Sequence, residues 1–258
     1  MPPVTADLIE GRAGDDPVLD LALATALLAQ VASGRRGPVI RVYRPLPTVA
    51  FGRRDSFLEG FARAAAAARR ADFTPAIRSA GGRAAAYHEE CLVIDEIVPA
   101  RDAMAEVDAR FAAEAESQAQ ALRDLGIDAR VGEVPGEYCR GRFSVNARGQ
   151  AKLIGAAQRI ISGAWLFSTV VVVGGGPCVR AVLEQVYAAL GLDWDPASVG
   201  SVADELAAAT VEQLQAALLA PVAARYRLTP SAVSEDEWAA ARDLSARHRA
   251  VPGARSGG

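Results

Sequence analysis

One cysteine and one lysine lie close together in a segment that could carry nucleophilic chemistry. Cys139 precedes Arg140, and Lys152 is the only lysine of the 258-residue chain. A cysteine thiolate attacks acyl carbonyls, and neighbouring cations such as Arg140, Arg142 or Lys152 favour the thiolate over the thiol. An ammonium group nearby could hold the oxyanion that develops on the carbonyl oxygen. Cys139 and Lys152 are therefore the candidate catalytic pair.

Lys152 lies in an apolar run that continues over residues 153–157. A lysine in such surroundings must extend its ammonium to water, pair with an acidic group or bind an anionic ligand. Residues 142–147 alternate in size as a β-strand does, and Arg148-Gly149 indicates a turn. We therefore predict a hairpin that carries Cys139 near its entry and Lys152 near its exit. An inert turn cysteine and a lysine stem lying along the core are the alternatives.

A glycine-rich segment upstream has the composition of a site for a carboxyl or phosphoryl oxygen. Residues 78–83 read RSAGGR, and residues 84–88 continue with AAAYH. Paired glycines let backbone amides turn toward an oxygen, and flanking arginines supply charge-assisted hydrogen bonds. His88 either positions or deprotonates a substrate or is a structural histidine. The other histidine, His248, lies in an arginine-rich segment and is expected to be exposed.

Helices and strands that must position these groups follow one another along the chain. Helices are predicted at residues 17–32, 58–71, 101–125 and 177–190. Strands are predicted at residues 38–43, 48–51, 84–88, 91–95, 127–131, 142–147, 160–161 and 165–173. This mixture of elements indicates an α/β fold.

The C-terminal part of the chain is predicted to be helical, at residues 210–226 and 234–248, with a break at Pro230. Residues 1–205 are accordingly assigned to one catalytic domain, and residues 206–258 to a helical extension packed on the same domain. The terminal Ser-Gly-Gly is expected to be a frayed tail.

Composition argues against several functional classes. The net charge of −3 gives no basic field of the kind that nucleic-acid or anionic-membrane binding requires. Cys91, Cys139 and Cys178 are odd in number and widely spaced, which argues against a disulfide framework and a cysteine-rich zinc site. No run reaches the length of a membrane span, and residues 1–7 do not resemble a signal peptide. We expect a soluble cytoplasmic protein without a metal, nucleic-acid or membrane partner.

Three segments resemble the lipoate/octanoate transferases and lipoate-protein ligases, a family related to the biotin-protein ligases. Residues 152–159, KLIGAAQR, are similar to the family's lysine-bearing strand, K-(I/L/F)-x-G-x-(A/S)-Q-R. Residues 41–52, RVYRPLPTVAFG, are similar to its opening hairpin, R-x-Y-x-P-x-P-x-V-x-x-G. Residues 78–88 resemble its R-x-(S/T)-G-G-x-A-V-x-H loop, with the hydroxyl of Ser79 one place earlier. The resemblance implies mixed, largely antiparallel sheets flanked by helices, of the biotin/lipoate-protein-ligase catalytic-domain type.

The resemblance also implies roles for individual residues. Lys152 corresponds to the lysine that binds the acyl carbonyl, and Cys139 lies in a Y-C-x-G sequence similar to that of the octanoyl amidotransferases, which form a thioester. ATP-dependent ligases usually carry an Asn-Asp pair where this chain has Phe143-Ser144. The substrate-binding residues implied by the loop and the strand are Arg78, Ser79, Gly81, Gly82, Tyr87, His88, Gly155 and Gln158.

The activity implied by the resemblance is transfer of an octanoyl or lipoyl group to the acceptor lysine of a lipoyl domain or of the glycine-cleavage H protein. The expected donor is an octanoylated acyl carrier protein or an acylated lipoyl domain, and transfer itself requires no cofactor. The first alternative is a lipoate-protein ligase, which needs ATP and Mg²⁺. The C-terminal helices are too short for the accessory domain of many ligases, which favours a transferase. The second alternative is a non-catalytic module that binds an acyl chain or a partner.

Overall fold

The computed structural model of the protein describes residues 3–102, 104 and 106–250. The strands of this part of the chain are β1 (Val4–Glu10), β2 (Val39–Tyr43), β3 (Thr48–Phe51), β4 (Thr74–Ile77), β5 (Ala85–Tyr87), β6 (Cys91–Pro99), β7 (Ala129–Val131), β8 (Val145–Ala147), β9 (Ala151–Ile161), β10 (Ala164–Val172) and β11 (Tyr226–Pro230). The helices are α1 (Pro17–Ala32), α2 (Phe61–Arg70), α3 (Val107–Asp124), α4 (Gly176–Leu190), α5 (Val202–Glu205), α6 (Val211–Arg225) and α7 (Glu235–His248).

Two sheets form the frame of the described residues. The larger sheet has eight strands in the order β11-β1-β2-β6-β10-β9-β8-β7, and five of its seven pairings are antiparallel. The smaller sheet has the order β4-β3-β5, in which β3 runs parallel to β4 and antiparallel to β5. The predicted α/β class, with mixed and largely antiparallel sheets, is confirmed.

Helix α1 covers one face of the central strands of the large sheet and has the predicted bounds. The side chain of Asp16 accepts a hydrogen bond from the Val18 N–H, and Pro17 occupies the first turn, where an N–H would have no helical partner. Leu23 and Leu27 pack in a core with β2, β6, β10 and α7. Helices α3 and α6 cover the opposite face.

Arg41 of the opening hairpin fastens α1 to this sheet. Its side chain is fully buried and forms an ion pair with Asp20 of α1. A second carboxylate, Asp95 of β6, lies 3.8 Å from the same guanidinium. A buried arginine needs such partners because an unpaired charge in the core is costly. This residue of the family-like hairpin therefore has a structural role.

The small sheet packs with α2 and α4 in a second core. This core contains Phe51 of β3, Phe61 of α2 and Leu183 of α4. The glycine-rich segment predicted to bind substrate connects β4 to β5. The small sheet and the two helices therefore hold both ends of that segment.

The structure differs from the predictions mainly at the sheet edge. Residues 226–230, predicted as a helix end and a break, form β11, which pairs in parallel with β1. β1 itself was not predicted. Pro230 is tolerated because it ends an edge strand, where a missing N–H removes no ladder bond. The prediction of a purely helical C-terminal segment is therefore wrong.

Helix α3 begins at Val107, later than predicted, and residues 103 and 105 lie outside the described part of the chain. The terminal Ser-Gly-Gly also lies outside it. Within the described ranges, no helix is long and apolar enough to cross a membrane.

Candidate active site

Cys139 lies in the loop between β7 and β8 with an unusual backbone conformation. Its φ of 44° is in the left-handed region, which costs a non-glycine residue energy. The N–H of Cys139 donates to the Tyr187 hydroxyl (2.8 Å), and its carbonyl accepts from Lys152 Nζ (2.9 Å). The Tyr187 hydroxyl donates in turn to the Ala84 carbonyl (2.9 Å). These bonds fix the direction in which the cysteine side chain points.

Two N–H donors point at the Cys139 sulfur. The backbone N–H of Arg83 lies 3.3 Å from Sγ, and Nη2 of Arg78 lies 3.5 Å from it. Gly82, with φ of 104°, passes so close that a Cβ there would lie 2.7 Å from the sulfur. Such donors stabilise a thiolate, and they are also placed for the oxygen of a carbonyl bonded to the sulfur. The glycine-rich loop therefore packs directly against the Cys139 sulfur.

Arg78 holds this loop around the sulfur. Its Nη1 donates to the Ala50 carbonyl (2.7 Å), its Nη2 to the Arg83 carbonyl (2.6 Å) and its Nε to the Gly81 carbonyl (3.0 Å). These bonds fix the guanidinium plane and leave its positive charge facing Cys139. Arg78 is predicted as a substrate-binding residue, and the structure places it at the Cys139 sulfur.

The other arginines expected beside the sulfur have different partners. Arg140 lies 3.9 Å from a carboxylate oxygen of Glu133, and Arg142 lies 3.1 Å from one of Asp108. Both arginine side chains are exposed. The arginine charge at the sulfur is therefore that of Arg78, 61 residues earlier in the sequence, and not that of Arg140 or Arg142.

Lys152 is buried, and its ammonium has three protein acceptors. They are Glu137 Oε1 (3.2 Å), the Tyr138 carbonyl (3.2 Å) and the Cys139 carbonyl (2.9 Å). Of the interpretations open from the sequence, pairing with an acidic group is the one observed. Because an ammonium has three N–H donors, an acyl oxygen can bind Lys152 only by replacing one of these acceptors.

Glu137 is one of the site residues that were not predicted from the sequence, with Arg83 and Tyr187. Its side chain is fully buried. Its Oε1 accepts from Lys152, from the Ser144 hydroxyl (2.7 Å) and from the Gly141 N–H (2.8 Å), and its Oε2 accepts from the Val134 N–H (3.2 Å). These bonds offset the cost of burying the carboxylate. The signal was present, because a lone lysine in an apolar strand needs an acid and Glu137 lies two residues before the cysteine.

The predicted hairpin is confirmed. β8 pairs antiparallel with β9, and the turn between them has positive φ at Arg148 (57°) and Gly149 (74°). An irregularity in the pairing lies next to Lys152. Gly155 lies against the lysine stem, and a Cβ there would be 3.1 Å from Lys152 Cε. A larger residue at position 155 would therefore displace the ammonium.

A strip of partly accessible residues runs along one face of β9 and β10, starting at Gly155. Gly155 pairs with Val170, and Ala157 pairs with Ser168. Residues two apart on a strand share a face, and directly paired residues lie side by side on it. All four are half-buried although both strands are central in the sheet. Two of its four residues, Gly155 and Ala157, add little side-chain bulk to this face.

Gln158 does not lie on this strip. It is three residues from Gly155 on a regular part of β9, so its side chain points to the opposite face. There it accepts a hydrogen bond from Arg110 (2.8 Å) and donates to the Val107 carbonyl (3.1 Å). The structure thus separates Gln158 from the Cys139–Lys152 pair.

His88 has structural partners at both ring nitrogens. The Glu90 N–H lies 3.3 Å from Nδ1, and Nε2 lies 3.4 Å from the Gly175 carbonyl. The ring also meets Phe73 edge-on, with 6.5 Å between ring centres. A neutral imidazole with its proton on Nε2 satisfies both contacts. Of the two interpretations of His88, the geometry favours a structural histidine that holds the turn before α4.

Ser79 points to the back of the glycine-rich loop. Its hydroxyl accepts a hydrogen bond from Thr25 of α1 (3.3 Å), and the same Thr25 oxygen lies 3.1 Å from His248 Nε2. His248 Nδ1 lies 2.7 Å from the Ile77 carbonyl. His248 is buried, and burial lowers its pKa, so its expected exposure is wrong. This cluster ties the loop to α1 and α7.

Tyr87 is buried at the end of β5, and burial raises its pKa while the charge of Arg78 acts in the opposite direction. Gly81 is exposed, and its carbonyl is one of the acceptors of Arg78. The structure therefore brings Cys139, Lys152 and Arg78 together with Gly81, Gly82 and Gly155. Within the described residues, no group of three His, Cys, Asp or Glu side chains is arranged to hold a metal ion.

The arrangement can perform nucleophilic acyl chemistry. A half-buried thiol lies in a fixed orientation, N–H donors surround its sulfur, and a strip for an apolar chain begins at the neighbouring lysine. Such a site binds a carbonyl carbon at the sulfur and stabilises negative charge on the carbonyl oxygen.

Curated relatives share sequence with part of this chain. A protein of Anoxybacillus flavithermus named octanoyl-GcvH:protein N-octanoyltransferase is 29% identical over 166 residues, which are 64% of this chain and 59% of the relative. One of the same name from Geobacillus kaustophilus is 26% identical over 176 residues, which are 68% of this chain and 62% of the relative. The matches thus span about six-tenths of the length of these relatives.

Solved structures of lipoate-protein ligases share the fold. Lipoate-protein ligase A bound with ATP superposes with a TM-score of 0.73 at 20% identity, covering 95% of both chains. The bipartite lipoate protein ligase of Thermoplasma acidophilum gives 0.72 at 21% identity, covering 95% of this chain and 92% of that one. The model of the lipoyl protein ligase A/B catalytic domain matches residues 16–223. The chain therefore belongs to the lipoyl protein ligase A/B catalytic-domain family.

Proposed function

We propose that the protein transfers an octanoyl or lipoyl group between the lysines of carrier domains through a thioester on Cys139. The observation that carries the proposal is the pair of N–H donors, from Arg83 and Arg78, aimed at a sulfur whose backbone is held by Tyr187 and Lys152. The name of the curated relatives supports octanoyl-GcvH as the donor. The acceptor is the lysine of a lipoyl domain or of a glycine-cleavage H protein.

The first half of the reaction loads the cysteine. The Cys139 thiolate attacks the acyl carbonyl of the donor, and a C–S bond forms as the bond to the departing group breaks. For an acylated lysine donor, the proton of the thiol ends on the departing lysine amine. The Arg83 N–H and the Arg78 guanidinium stabilise the oxyanion, because both lie within hydrogen-bonding range of the sulfur. The amide of Arg83 thus takes the role that the sequence suggested for Gly81 and Gly82.

The second half transfers the acyl group to the acceptor. The neutral amine of the acceptor lysine attacks the thioester, an amide forms, and the C–S bond breaks to return the thiolate. The amine proton released in this step restores the starting protonation of the site. Lys152 orients the nucleophile through the Cys139 carbonyl, and exchange of that acceptor for the acyl oxygen would let the same ammonium hold the substrate.

The acyl chain is placed on the strip of β9 and β10 that starts at Gly155. This strip begins at the Lys152 stem and continues past Ala157 and Ser168. An extended medium-length chain lies comfortably along two or three strand residues at about 3.3 Å per residue. Gly155 and Ala157 support this placement because neither adds a bulky side chain to the strip.

An ATP-dependent lipoate-protein ligase is the second candidate function, because the fold is shared with a ligase that binds ATP. The two N–H donors at the Cys139 sulfur favour the transferase, since a ligase activates its acid as an adenylate and needs no thiol. A transferase requires no ATP or Mg²⁺. The three free thiols agree with a reducing cytoplasm.

We further propose that residues 1–205 carry the catalytic groups and that residues 206–258 extend the same domain. The packing of α6 against the sheet, the pairing of β11 with β1 and the packing of α7 on α1 support this division.

A transfer assay tests the proposal. An octanoylated H-type carrier and an unmodified lipoyl domain are mixed with the protein, with and without ATP and Mg²⁺, and the acceptor is followed by intact mass. We expect ATP-independent transfer that is lost in Cys139→Ser and kept in the control Cys178→Ser. Acylation from free octanoate with release of pyrophosphate would indicate the ligase instead. Acyl binding without turnover would indicate a non-catalytic module.

A further inference from the structure

The segment beside the glycine-rich loop presents two arginines and an aromatic ring to solvent. Arg53 and Arg54 are exposed, and 69% of Phe57 is accessible. Exposed large apolar side chains are uncommon in the described part of the chain, where Val4 and Met104 are the others. Aromatic and arginine side chains are the residues that contribute most to protein interfaces. The segment thus has the composition of a contact surface.

The exposure of Phe57 does not arise from a loose loop. Asp55 is fully buried, and its Oδ2 accepts a hydrogen bond from the Gly52 N–H (2.9 Å). Its Oδ1 accepts from the Arg83 guanidinium (3.0 Å), and the Leu58 N–H donates to its carbonyl (3.0 Å). The Asp55 carboxylate thus fixes the Gly52 end of the turn, and the Asp55 backbone carbonyl fixes the Leu58 end. The backbone that carries Phe57 is therefore fixed before any partner arrives, which reduces the entropy lost on binding.

The segment is also next to the nucleophile. Gly52 packs so tightly on the loop that a Cβ there would lie 1.8 Å from the Gly82 carbonyl oxygen. Gly82 in turn lies against the Cys139 sulfur, and Arg83 joins the two segments by donating to both Asp55 and that sulfur. The Arg53–Phe57 segment therefore adjoins the loop that contacts the Cys139 sulfur, where a macromolecule that presents an acyl-lysine can touch it.

The charge of this surface is opposite to that of the whole chain. The chain carries a net charge of −3, whereas the surface carries Arg53 and Arg54 and, among the described residues, no ion pair engages either guanidinium. Asp55 is buried and neutralised by Arg83, and Glu59 is the exposed acid of the adjoining segment. Local positive charge on an acidic protein steers an acidic partner.

We propose, building on the function proposed above, that Arg53, Arg54 and Phe57 form the docking surface for an acidic carrier domain that brings its acyl-lysine to Cys139. The arginines supply electrostatic attraction and orientation, and Phe57 supplies the apolar anchor at the centre of the contact. The carrier buries Phe57 against an apolar residue of its own. A small acyl thioester does not need this surface, because it reaches the sulfur directly.

Two reactions of the 258-residue protein separate docking from chemistry. The first is loading of Cys139 from a small octanoyl thioester, followed by intact mass. The second is transfer from an octanoylated carrier domain at varied carrier concentration. The variants are Arg53→Glu with Arg54→Glu, and Phe57→Ser. The matched control is Arg227→Glu with Arg242→Glu, which makes the same change of charge at exposed arginines of β11 and α7.

For the double arginine variant we expect KM for the carrier to rise about tenfold or more, and for Phe57→Ser several-fold, with kcat within about twofold. Loading from the small thioester stays at the wild-type rate in all variants. Raising the salt concentration should increase the wild-type KM for the carrier toward the KM of the double variant, because salt screens the attraction between charges. An unchanged KM for the carrier, or an equal rise in the control, would overturn the docking surface. Absence of Cys139 loading in the wild type would instead overturn the proposed function.

Discussion

Cys139 and Cys178 are both reachable from solvent, yet their surroundings differ. Cys178 lies in the first turn of α4, where the helix dipole favours a thiolate. Burial and the charge of Glu90 nevertheless raise its pKa. Cys139 lies in no helix, and its sulfur has the Arg83 N–H and the Arg78 guanidinium as donors. The two sites show that accessibility and a helix start do not prepare a thiol for reaction when carboxylates oppose them.

The third cysteine completes the comparison. Cys91 is fully buried on β6, and burial raises its pKa to about 12. It behaves as a small apolar residue of the core. The same side chain is therefore inert in the core, held protonated at α4 and surrounded by donors in the loop. Reactivity is set by what the fold brings to the sulfur.

The largest effect is expected from Lys152→Met, which removes the ammonium group that binds the Cys139 carbonyl. Glu137 would remain buried without its ion-pair partner, and the Cys139 carbonyl would lose its donor. We expect a loss of about 3–5 kcal/mol in the free energy of unfolding, measured by urea titration. The double variant Glu137→Gln with Lys152→Met should recover part of this loss. A loss below about 1 kcal/mol in the single variant would contradict the account of this pair.

Arg78→Ala is expected to have the next largest effect. The variant removes the charge at the sulfur together with the bonds to the Ala50, Gly81 and Arg83 carbonyls. We expect kcat/KM for transfer to fall by about 10²–10³, as for loss of a donor to an oxyanion. The kcat/KM of Arg78→Lys should lie between that of the wild type and that of Arg78→Ala, because lysine keeps the charge but not the planar geometry. Equal activity of the alanine variant and the wild type would exclude Arg78 from the chemistry.

Tyr187→Phe is a smaller change, and it tests the hydrogen bonds by which the Tyr187 hydroxyl holds the Cys139 backbone. The Cys139 N–H and the Ala84 carbonyl would both lose their partner, while the ring and its packing stay. Burial raises the pKa of Tyr187, so the phenol keeps the proton it donates. We expect a loss of about 1–2 kcal/mol in stability and roughly tenfold slower alkylation of Cys139 by iodoacetamide. Alkylation of Cys178 in the same sample serves as the internal control. Equal slowing of both thiols would contradict a specific role of the Tyr187 hydroxyl in positioning Cys139.

The smallest effect concerns Cys178. Because the negative charge of Glu90 raises the pKa of Cys178, Glu90→Gln lowers that pKa and increases the thiolate fraction at a fixed pH. We expect Cys178 to be alkylated about two- to threefold faster at pH 8, and its pH profile to move to lower pH. Cys139 should be unaffected. If Glu90→Gln left the pH profile of Cys178 in place, burial and the charge of Glu89 would account for its raised pKa without Glu90.

The hairpin and the Cys139–Lys152 pair could be predicted because they depend on local signals, a turn at Arg148-Gly149 and a lysine in an apolar strand. Tyr187 could not, because it lies on α4, 48 residues from the N–H that it binds. The edge strand β11 could not be predicted because it follows α6 directly and has only two half-buried residues, Tyr226 and Leu228, which is too short an alternation to separate it from the helix. Gln158 was placed among the substrate-binding residues because it belongs to the motif. Strand alternation, however, puts its side chain on the opposite face of β9 from Gly155.

The central claim is tested most directly by locating the acyl group. The wild-type protein is mixed with an octanoylated carrier domain, and the reaction is quenched with acid within one turnover. The cysteine peptides are then mapped by mass spectrometry. We expect the octanoyl mass on the Cys139 peptide alone, and we expect it to disappear when an acceptor lysine domain is added. Rapid transfer to the acceptor without an octanoyl adduct on Cys139 at any time, or an adduct on Cys178 instead, would contradict the claim.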